Sequence, residues 1–313
     1  MNSWYDDWQH QRHAEAFDGR WQLDRRNLVR NQEGFNDVRL LNERVATDRP
    51  LDLLELGCAT GEFYRYLRRR YPRARYCGLD VSGPAIARAK QKYPEGTFVV
   101  SDPAASVSAT LRARGLPEHP QIVYAKDVIQ HQAEPLAFLS ELIRIAEEAV
   151  IVRCRTRDVG PTEWNPEHSC QYHYDGWMPF IVVNLQELID AVMAEAPEAE
   201  VAVYRSHTVL GGRHSRFVPK ELFVASTGTA ETALGVFRRT AHPGRVTIVD
   251  RPDQNPRYTW DYALKHAARQ AWDAVRLSRA RDAGPRVVAQ FQWSRSSGVM
   301  QRDSWQPVEE ARS

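Results

Sequence analysis

Short apolar runs alternate with amphipathic segments from residue 51 to residue 226, and this alternation most constrains the fold of the chain. Each run has the length of a β-strand, and the segments between them carry apolar residues at helical spacing. Strands that are apolar throughout are typical of a parallel sheet covered by helices on both faces. The pattern predicts an α/β fold with a doubly wound, mostly parallel, seven-stranded sheet, whose strands lie at residues 51–56, 75–79, 97–100, 121–125, 149–152, 201–204 and 221–225.

Two further regions flank this predicted core, which we place at residues 51–234. Residues 1–50 are predicted to form an N-terminal helical cap, because apolar residues recur there every three or four positions from Phe35 to Val45. Residues 235–313 are predicted to form a C-terminal α+β appendage, with strands at residues 245–250 and 286–293 and a helix at residues 258–282. We expect the appendage to serve docking, substrate coverage or dimerisation, so a homodimer is one expected assembly.

The composition excludes several classes of protein. The chain has 313 residues and a formal net charge of +2, which gives no general attraction to nucleic acid or to an anionic membrane. No apolar run approaches the roughly 18 residues of a membrane-spanning helix. The start of the chain lacks the charged and apolar regions of a secretory signal. Four scattered cysteines without a CxxC pair are typical of a reduced protein, so we expect a cytoplasmic location without a membrane partner.

The sequence LLELGCATG, at residues 53–61, joins the first predicted strand to the first predicted helix. Gly57 and Gly61 allow a tight turn and the close approach of a ligand, and the helix start leaves backbone N–H groups that face it. The spacing is that of neither a Walker phosphate loop nor a dinucleotide-binding loop. Asp80 and Asp102 end the second and third strands, at the edge where doubly wound sheets bind ligands. Carboxylates there suit a ribose diol and an exocyclic amine.

Four segments in this order, ELGCATG at 55–61, GLDVS at 78–82, SD at 101–102 and YAKDVIQH at 124–131, resemble the motifs of class I S-adenosylmethionine-dependent methyltransferases. The resemblance covers roughly residues 35–226, with Ala59 in place of the usual glycine. It implies S-adenosylmethionine as the cofactor and S-adenosylhomocysteine as the product. It also implies that Asp80 holds the ribose hydroxyls and that Asp102 faces the adenine amine. The cofactor-binding residues that it implies are Glu55, Gly57, Ala59, Gly61, Asp80, Val81, Asp102, Ala125 and Lys126.

Methyl transfer depends largely on alignment of the two reactants, and a base is needed only when the acceptor atom carries a proton. His131 follows the fourth predicted strand, beside the expected position of the methyl group. An ordinary histidine has a pKa of about 6.5, which suits a general base at neutral pH. A packing role at a helix start is the alternative for His131. His173 is the second candidate base.

Residues 162–177, which we name the acceptor segment, are rich in aromatic and imidazole side chains that suit a sugar or an aromatic ring. A plain surface loop is the alternative. His168, Cys170, His173 and Asp175 could ligate a metal, but their spacing matches no closed zinc site, so we expect no metal. The candidate substrate-binding residues of the segment are Trp164, His168, Tyr172, Tyr174 and Trp177.

Arg153 and Arg155 share one face of the fifth predicted strand with Arg157, where they would bind a carboxylate or a phosphate of the acceptor or form a solvated strand edge. We therefore predict a methyltransferase that acts on a small molecule, such as a sugar or a secondary metabolite, by O-methylation with a histidine base. The alternatives are methylation of RNA or protein by the same fold, and a cofactor-binding protein without activity. Nucleic acid is not the expected acceptor, because the aromatic residues of the basic appendage lie at helix and strand spacing.

Overall fold

The computed structural model of the chain describes residues 32–163, 170–173, 176–206 and 229–251, together with four short strands nearer the carboxyl terminus. For the strands between residues 170 and 178 and beyond residue 251, only the backbone is described. In these residues, no helix combines the length and the apolar character that crossing a membrane requires.

Three of the six α-helices described below, those that begin at Gly83, Val107 and Leu185, have a side-chain cap. The Ser82 hydroxyl accepts a hydrogen bond from the Ala85 N–H, and the Asn184 side chain accepts from two N–H groups of the helix that follows it. A 3-10 turn at Ile129–His131 follows the fourth strand. The helices are α1 (Asn36–Arg44), α2 (Glu62–Arg70), α3 (Gly83–Lys92), α4 (Val107–Ala113), α5 (Pro135–Ile145) and α6 (Leu185–Glu195).

The strands of the main part of the chain are β1 (Leu51–Leu56), β2 (Ala74–Asp80), β3 (Thr97–Val100), β4 (Ile122–Lys126), β5 (Ala149–Arg157), β6 (Cys170–His173), β7 (Gly176–Pro179), β8 (Val183–Asn184), β9 (Glu200–Ser206), β10 (Ala230–Phe237) and β11 (Val246–Asp250). Toward the carboxyl terminus follow β12 (Val287–Val288), β13 (Phe291–Ser294), β14 (Val299–Arg302) and β15 (Gln306–Pro307).

One nine-stranded sheet organises the described residues, in the order β11-β9-β10-β5-β4-β1-β2-β3, with β8 paired to the end of β5. All its pairs are parallel except those that β10 makes with β5 and β9. Successive residues of a strand enter different cores: Leu53 and Tyr124 pack with α1, α2 and α3, whereas Leu54 and Val123 pack with α4, α5 and α6. Helices therefore cover both faces, as the sequence predicts.

The structure confirms the α/β class and corrects details of the sheet. It has two strands more than the seven predicted, because β8 is only two residues long and β11 extends the edge beyond β9. The antiparallel strand is β10, whereas the strand predicted at residues 221–225 lies outside the described residues. The predicted boundary between residues 234 and 235 falls inside β10, although the division into domains itself stays a prediction.

The appendage is described only in part. The strand predicted at residues 245–250 corresponds to β11, which belongs to the main sheet. The single strand predicted at residues 286–293 is replaced by β12 and β13, which pair with β15 and β14, respectively. The helix predicted at residues 258–282 lies outside the described residues. In the cap, α1 buries Val38 and Leu41 as its spacing predicts, with Phe35 as its N-cap residue.

Candidate cofactor-binding site

The loop between β1 and α2 is held in left-handed backbone conformations. The φ angles are 70° at Gly57, 46° at Ala59 and 78° at Gly61. Glycine adopts such angles readily, whereas alanine is strained by roughly 1–2 kcal/mol. Ala59 therefore replaces the usual glycine of the motif but keeps the left-handed backbone conformation that favours glycine. The N–H groups of Gly57 and Cys58 both donate to the Leu79 carbonyl of β2, at 2.8 and 3.1 Å.

The glycines are required by close packing as well as by backbone angle. A Cβ atom at Gly57 would overlap Cγ2 of Val128, in the segment that follows β4. A Cβ atom at Gly61 would lie 2.9 Å from the ring of Phe98 on β3. The loop therefore packs against the segment that follows β4 on one side and against Phe98 of β3 on the other.

Asp80, the last residue of β2, braces this loop from the side. Its Oδ2 accepts a hydrogen bond from the Ala59 N–H at 2.8 Å, and its Oδ1 accepts from the Ser82 N–H at 2.8 Å. Burial raises the pKa of the carboxyl, and hydrogen bonds from the backbone of Ser82, Ala59 and Val81 oppose the rise. Each carboxylate oxygen has a second lone pair, so Asp80 can brace the loop and still accept from a ligand hydroxyl.

Asp102 is placed less deeply than the sequence suggests. It lies two residues beyond the end of β3 and is exposed. Its Oδ1 accepts from the Ala104 N–H at 2.9 Å, within its own turn. The structure therefore brings Asp80 to the loop but leaves Asp102 on the surface beside it.

Glu55 and Lys126 lie beneath the loop at the ends of β1 and β4. Glu55 is buried, and its carboxyl is hydrogen-bonded to the Tyr76 hydroxyl. Burial raises the pKa of Glu55 to about 8, and the Tyr76 hydrogen bond and the Lys126 charge offset only part of that rise. The Lys126 Nζ lies 3.5 Å from the centre of the Phe35 ring and 3.8 Å from the Asp37 carboxylate. The cap helix α1 therefore holds Lys126.

Among the described residues, two buried polar atoms of uncharged side chains have no hydrogen-bond partner, and both lie at this edge. They are the Thr60 Oγ1 in the loop and the Gln130 Oε1 in the 3-10 turn. Such atoms are rare and cost about 1–3 kcal/mol each when nothing satisfies them. The contact between Gly57 and Val128 brings the two segments together. A polar ligand bound there could hydrogen-bond to both atoms. The residues present therefore fit the adenosylated cofactor that the sequence motifs imply.

His131 is fixed by a bond to the backbone of the neighbouring hairpin. Its Nδ1 lies 2.7 Å from the Pro179 carbonyl oxygen, and its ring packs edge-on against Phe180. Because a carbonyl only accepts, Nδ1 donates, and in the neutral ring Nε2 then carries the lone pair. The Ile181 N–H donates to the Gln130 carbonyl at 2.8 Å, which ties the same two segments together.

The β6–β7 hairpin, which belongs largely to the acceptor segment, ends beside His131. Tyr172 and His173 lie on β6 and Trp177 lies on β7, which ends at the carbonyl that binds His131. The predicted residues Trp164, His168 and Tyr174 lie outside the described residues, as does Asp175. No group of side chains that could hold a metal occurs where the structure describes them, and the expectation of no metal stays a prediction.

Arg153 and Arg155 belong to a buried ion network. The Arg153 guanidinium lies 2.9 Å from Asp127 and 3.1 Å from Glu231, and its Nε lies 3.8 Å from Asp37. Arg155 pairs with the other oxygen of Glu231 at 2.5 Å. The acceptor-binding role of both arginines stays a prediction, and carboxylates of the protein already engage them.

Sequence reasoning missed Thr60, Gln130 and the carboxylates around Arg153. Thr60 lies in the ELGCATG motif and Gln130 in the YAKDVIQH motif, so their polar side chains could have been predicted to face a ligand. The carboxylates of Asp37 and Glu231 come from the cap and from β10, and only the folded chain brings them to β5.

A family model described as a methyltransferase domain matches residues 8–191, which is more than half of the chain. Among curated proteins, the trans-aconitate 2-methyltransferase of Enterobacter sp. (strain 638) is 32% identical over 103 residues, which are 33% of this chain and 37% of that protein. The protein of the same name from Azoarcus sp. (strain BH72) is 28% identical over 121 residues, which are 39% and 45% of the two chains. The chain thus spans less than half the length of these relatives.

Solved methyltransferase structures are also similar to this chain. The O-methyltransferase from a trans-AT PKS multienzyme of Brevibacillus brevis, in complex with S-adenosyl-L-homocysteine, covers 78% of each chain at 12% identity, with a TM-score of 0.47. A TehB-like SAM-dependent methyltransferase from Corynebacterium glutamicum covers 72% of this chain and 98% of its own at 17% identity, with a TM-score of 0.43. With the family match over residues 8–191, which include most strands of the sheet, the chain belongs to this methyltransferase domain family.

Proposed function

We propose that the protein is an S-adenosylmethionine-dependent methyltransferase that methylates an oxygen atom of a small molecule, with His131 as the general base. The observation that carries the proposal is the hydrogen bond from His131 Nδ1 to the Pro179 carbonyl. This bond fixes the ring and selects the neutral tautomer in which Nε2, rather than Nδ1, carries the lone pair that a general base uses. When bound, S-adenosylmethionine supplies a methyl group on a positively charged sulfur.

The residues of this chain have distinct parts in the proposal. The loop between Gly57 and Gly61 would hold the cofactor, and Asp80 would accept from its ribose hydroxyls while bracing Ala59. Lys126, held by the cap, would border its methionine portion. His131 would take the proton of an acceptor hydroxyl, and the β6–β7 hairpin would form one side of the acceptor pocket.

A carboxylate acceptor is the second candidate. The curated relatives are named for trans-aconitate, a small carboxylic acid. A carboxylate oxygen carries no proton at neutral pH, so its methylation needs no base. In this case Arg153 and Arg155, on the strand next to β4, would exchange part of their contacts with Asp127 and Glu231 for contacts with the acceptor carboxylate. The two candidates therefore differ in what they require of His131.

One experiment separates the two candidates. Formation of S-adenosylhomocysteine is measured with a panel of hydroxylated metabolites and small carboxylic acids, including trans-aconitate, and then with His131→Gln. With a hydroxyl acceptor we expect kcat to fall by about 100-fold or more, while the Kd for S-adenosylmethionine stays unchanged. His119→Gln, at an exposed position, is the matched control. An unchanged kcat on a hydroxyl acceptor would remove His131 as the base, and turnover of carboxylates alone would favour the second candidate.

We also propose that the protein is cytoplasmic, acts on no polynucleotide and forms a homodimer through residues 235–313. Cys58, Cys77 and Cys154 are free thiols, which supports a reducing compartment. Sedimentation of the full chain and of a chain ending after Arg251 tests the dimer. Binding to RNA that weakens steeply with salt would argue for the nucleic-acid alternative.

A further inference from the structure

We propose that Glu55 makes the site distinguish S-adenosylmethionine from S-adenosylhomocysteine. Glu55 releases one proton to solvent when S-adenosylmethionine binds, and it takes one proton back once methyl transfer has left S-adenosylhomocysteine in the site. The inference rests on the assignment of this edge of the sheet as the cofactor site. It adds a specificity-determining role for a residue beneath the loop.

Glu55 is a buried carboxyl without an ion pair. It is the penultimate residue of β1, two positions before Gly57, and only 5% of it is exposed. In the described part of the chain its hydrogen bond is with the Tyr76 hydroxyl, and no cationic group lies within 4.0 Å of it. An unpaired carboxylate is costly to bury, so the protonated form is favoured.

The groups around Glu55 cannot supply the missing cation. The largest positive charge that acts on it from the described residues is that of Lys126, and Lys126 already lies 3.8 Å from the Asp37 carboxylate. Asp80 adds a further negative charge, which raises the pKa of Glu55. The titratable and charged groups that face Glu55 from the neighbouring strands, the loop and α1 are Tyr76, Asp80, Cys58, Tyr124, Lys126 and Asp37.

Both ligands carry an α-ammonium group, so the positive charge that distinguishes them is the one on sulfur. S-adenosylmethionine carries a positive sulfonium, whereas S-adenosylhomocysteine has a neutral thioether in its place. A cation beside the loop favours the ionised form of Glu55, whose proton goes to solvent. After methyl transfer the positive charge is gone, and Glu55 takes a proton back from solvent. With a pKa of about 8, Glu55 is mostly protonated at pH 6.5, so this exchange occurs near neutral pH.

Calorimetric titration of the full chain tests the proposal without an acceptor. S-adenosylmethionine and S-adenosylhomocysteine are each titrated at pH 6.5 in two buffers of different ionisation enthalpy, which gives the number of protons released. At this pH the ligand amino groups are largely protonated. We expect S-adenosylmethionine to release close to one proton more than S-adenosylhomocysteine. We also expect the ratio of the two affinities to rise up to tenfold for each pH unit between 6 and 8, in favour of S-adenosylmethionine.

The variant Glu55→Gln should abolish this difference, because it cannot ionise but retains a side-chain oxygen for the Tyr76 hydroxyl. Glu147→Gln, at an exposed position, is the matched control and should release protons as the wild type does. Equal proton release by both ligands in the wild type would overturn the inference even if Glu55→Gln does not fold. Failure of either ligand to bind would instead overturn the cofactor assignment on which it rests.

Discussion

Glu55 at the carboxyl edge of the sheet and Glu200 at its amino edge are both buried, but only Glu200 is paired with cations. Arg44 makes two hydrogen bonds to the Glu200 carboxylate, and Arg245 and Thr240 each make one. These contacts, led by that of Arg44, lower the pKa of Glu200 to about 2. The same residue type is therefore anionic at one edge and mostly protonated at the other at neutral pH.

Glu148 extends the comparison along the amino edge. Its carboxylate accepts from Arg49 and Gln121 and pairs with Arg239 at 2.7 Å. At the carboxyl edge, in contrast, the described residues leave the Thr60 and Gln130 oxygens without partners. The carboxylates of the amino edge are satisfied by the protein itself and hold the fold together, whereas the unsatisfied oxygens of the carboxyl edge support the proposed cofactor site.

The largest effect is expected from breaking the carboxyl edge at Gly57. Gly57→Ala places a Cβ atom in the space of Val128 at a φ of 70°, so we expect a loss of about 3 kcal/mol in the free energy of unfolding. Ala59→Gly is the control, since it relieves a left-handed alanine, and it should change stability by less than about 1 kcal/mol. Denaturant unfolding measures both. A stable Gly57→Ala protein would show that the loop is not closely packed.

Glu200→Gln removes the ion pairs of the amino edge and should lower the free energy of unfolding by about 2 kcal/mol, because two partly exposed arginines lose their shared carboxylate. The wild-type contribution is present above the ordinary glutamate pKa of about 4.5 and is lost as the pH falls toward 2. Unfolding measured from pH 7 to pH 2 should therefore show the two proteins converging in acid. A constant difference across this range would contradict the ion pairing.

A pair of glutamine variants compares the two edges most finely. The Gln121 side chain accepts a hydrogen bond from the Asp52 N–H and donates one to Glu148. Gln121→Leu should therefore lower the free energy of unfolding by about 1–2 kcal/mol. Gln130→Leu removes an oxygen without a partner and should leave the free protein within about 0.5 kcal/mol of the wild type. Adding S-adenosylmethionine in a thermal-shift assay should then stabilise Gln121→Leu more than Gln130→Leu. An equal gain would mean that Gln130 does not contribute to the ligand site.

Local patterns explain how much of the fold the sequence could predict. Strands β1 to β5 and helices α2, α3, α5 and α6 were predictable, because continuous apolar runs, caps and prolines mark them in the chain. The strand β10 was missed, because ALGVF follows alanine, glutamate and threonine and Gly235 interrupts its apolar half.

The site divides in the same way. The glycine loop and Asp80 are adjacent in space because consecutive β and α elements place them there, so a sequence motif captures them. The network of Asp37, Arg153 and Glu231 joins the cap to two distant strands. No local pattern encodes such contacts, and the roles of both arginines could therefore not be derived from their alternation alone.

The hydrogen bond between His131 and Pro179 has a consequence for the proposed proton transfer. The bond selects the tautomer with the proton on Nδ1, and only that neutral tautomer can receive a proton on Nε2. A shift of β7 that breaks the bond would release the ring to the opposite tautomer, in which Nε2 is already protonated. In the proposed mechanism, the basicity of Nε2 therefore depends on the position of the β6–β7 hairpin, so the proposed acceptor pocket and the proposed base form together.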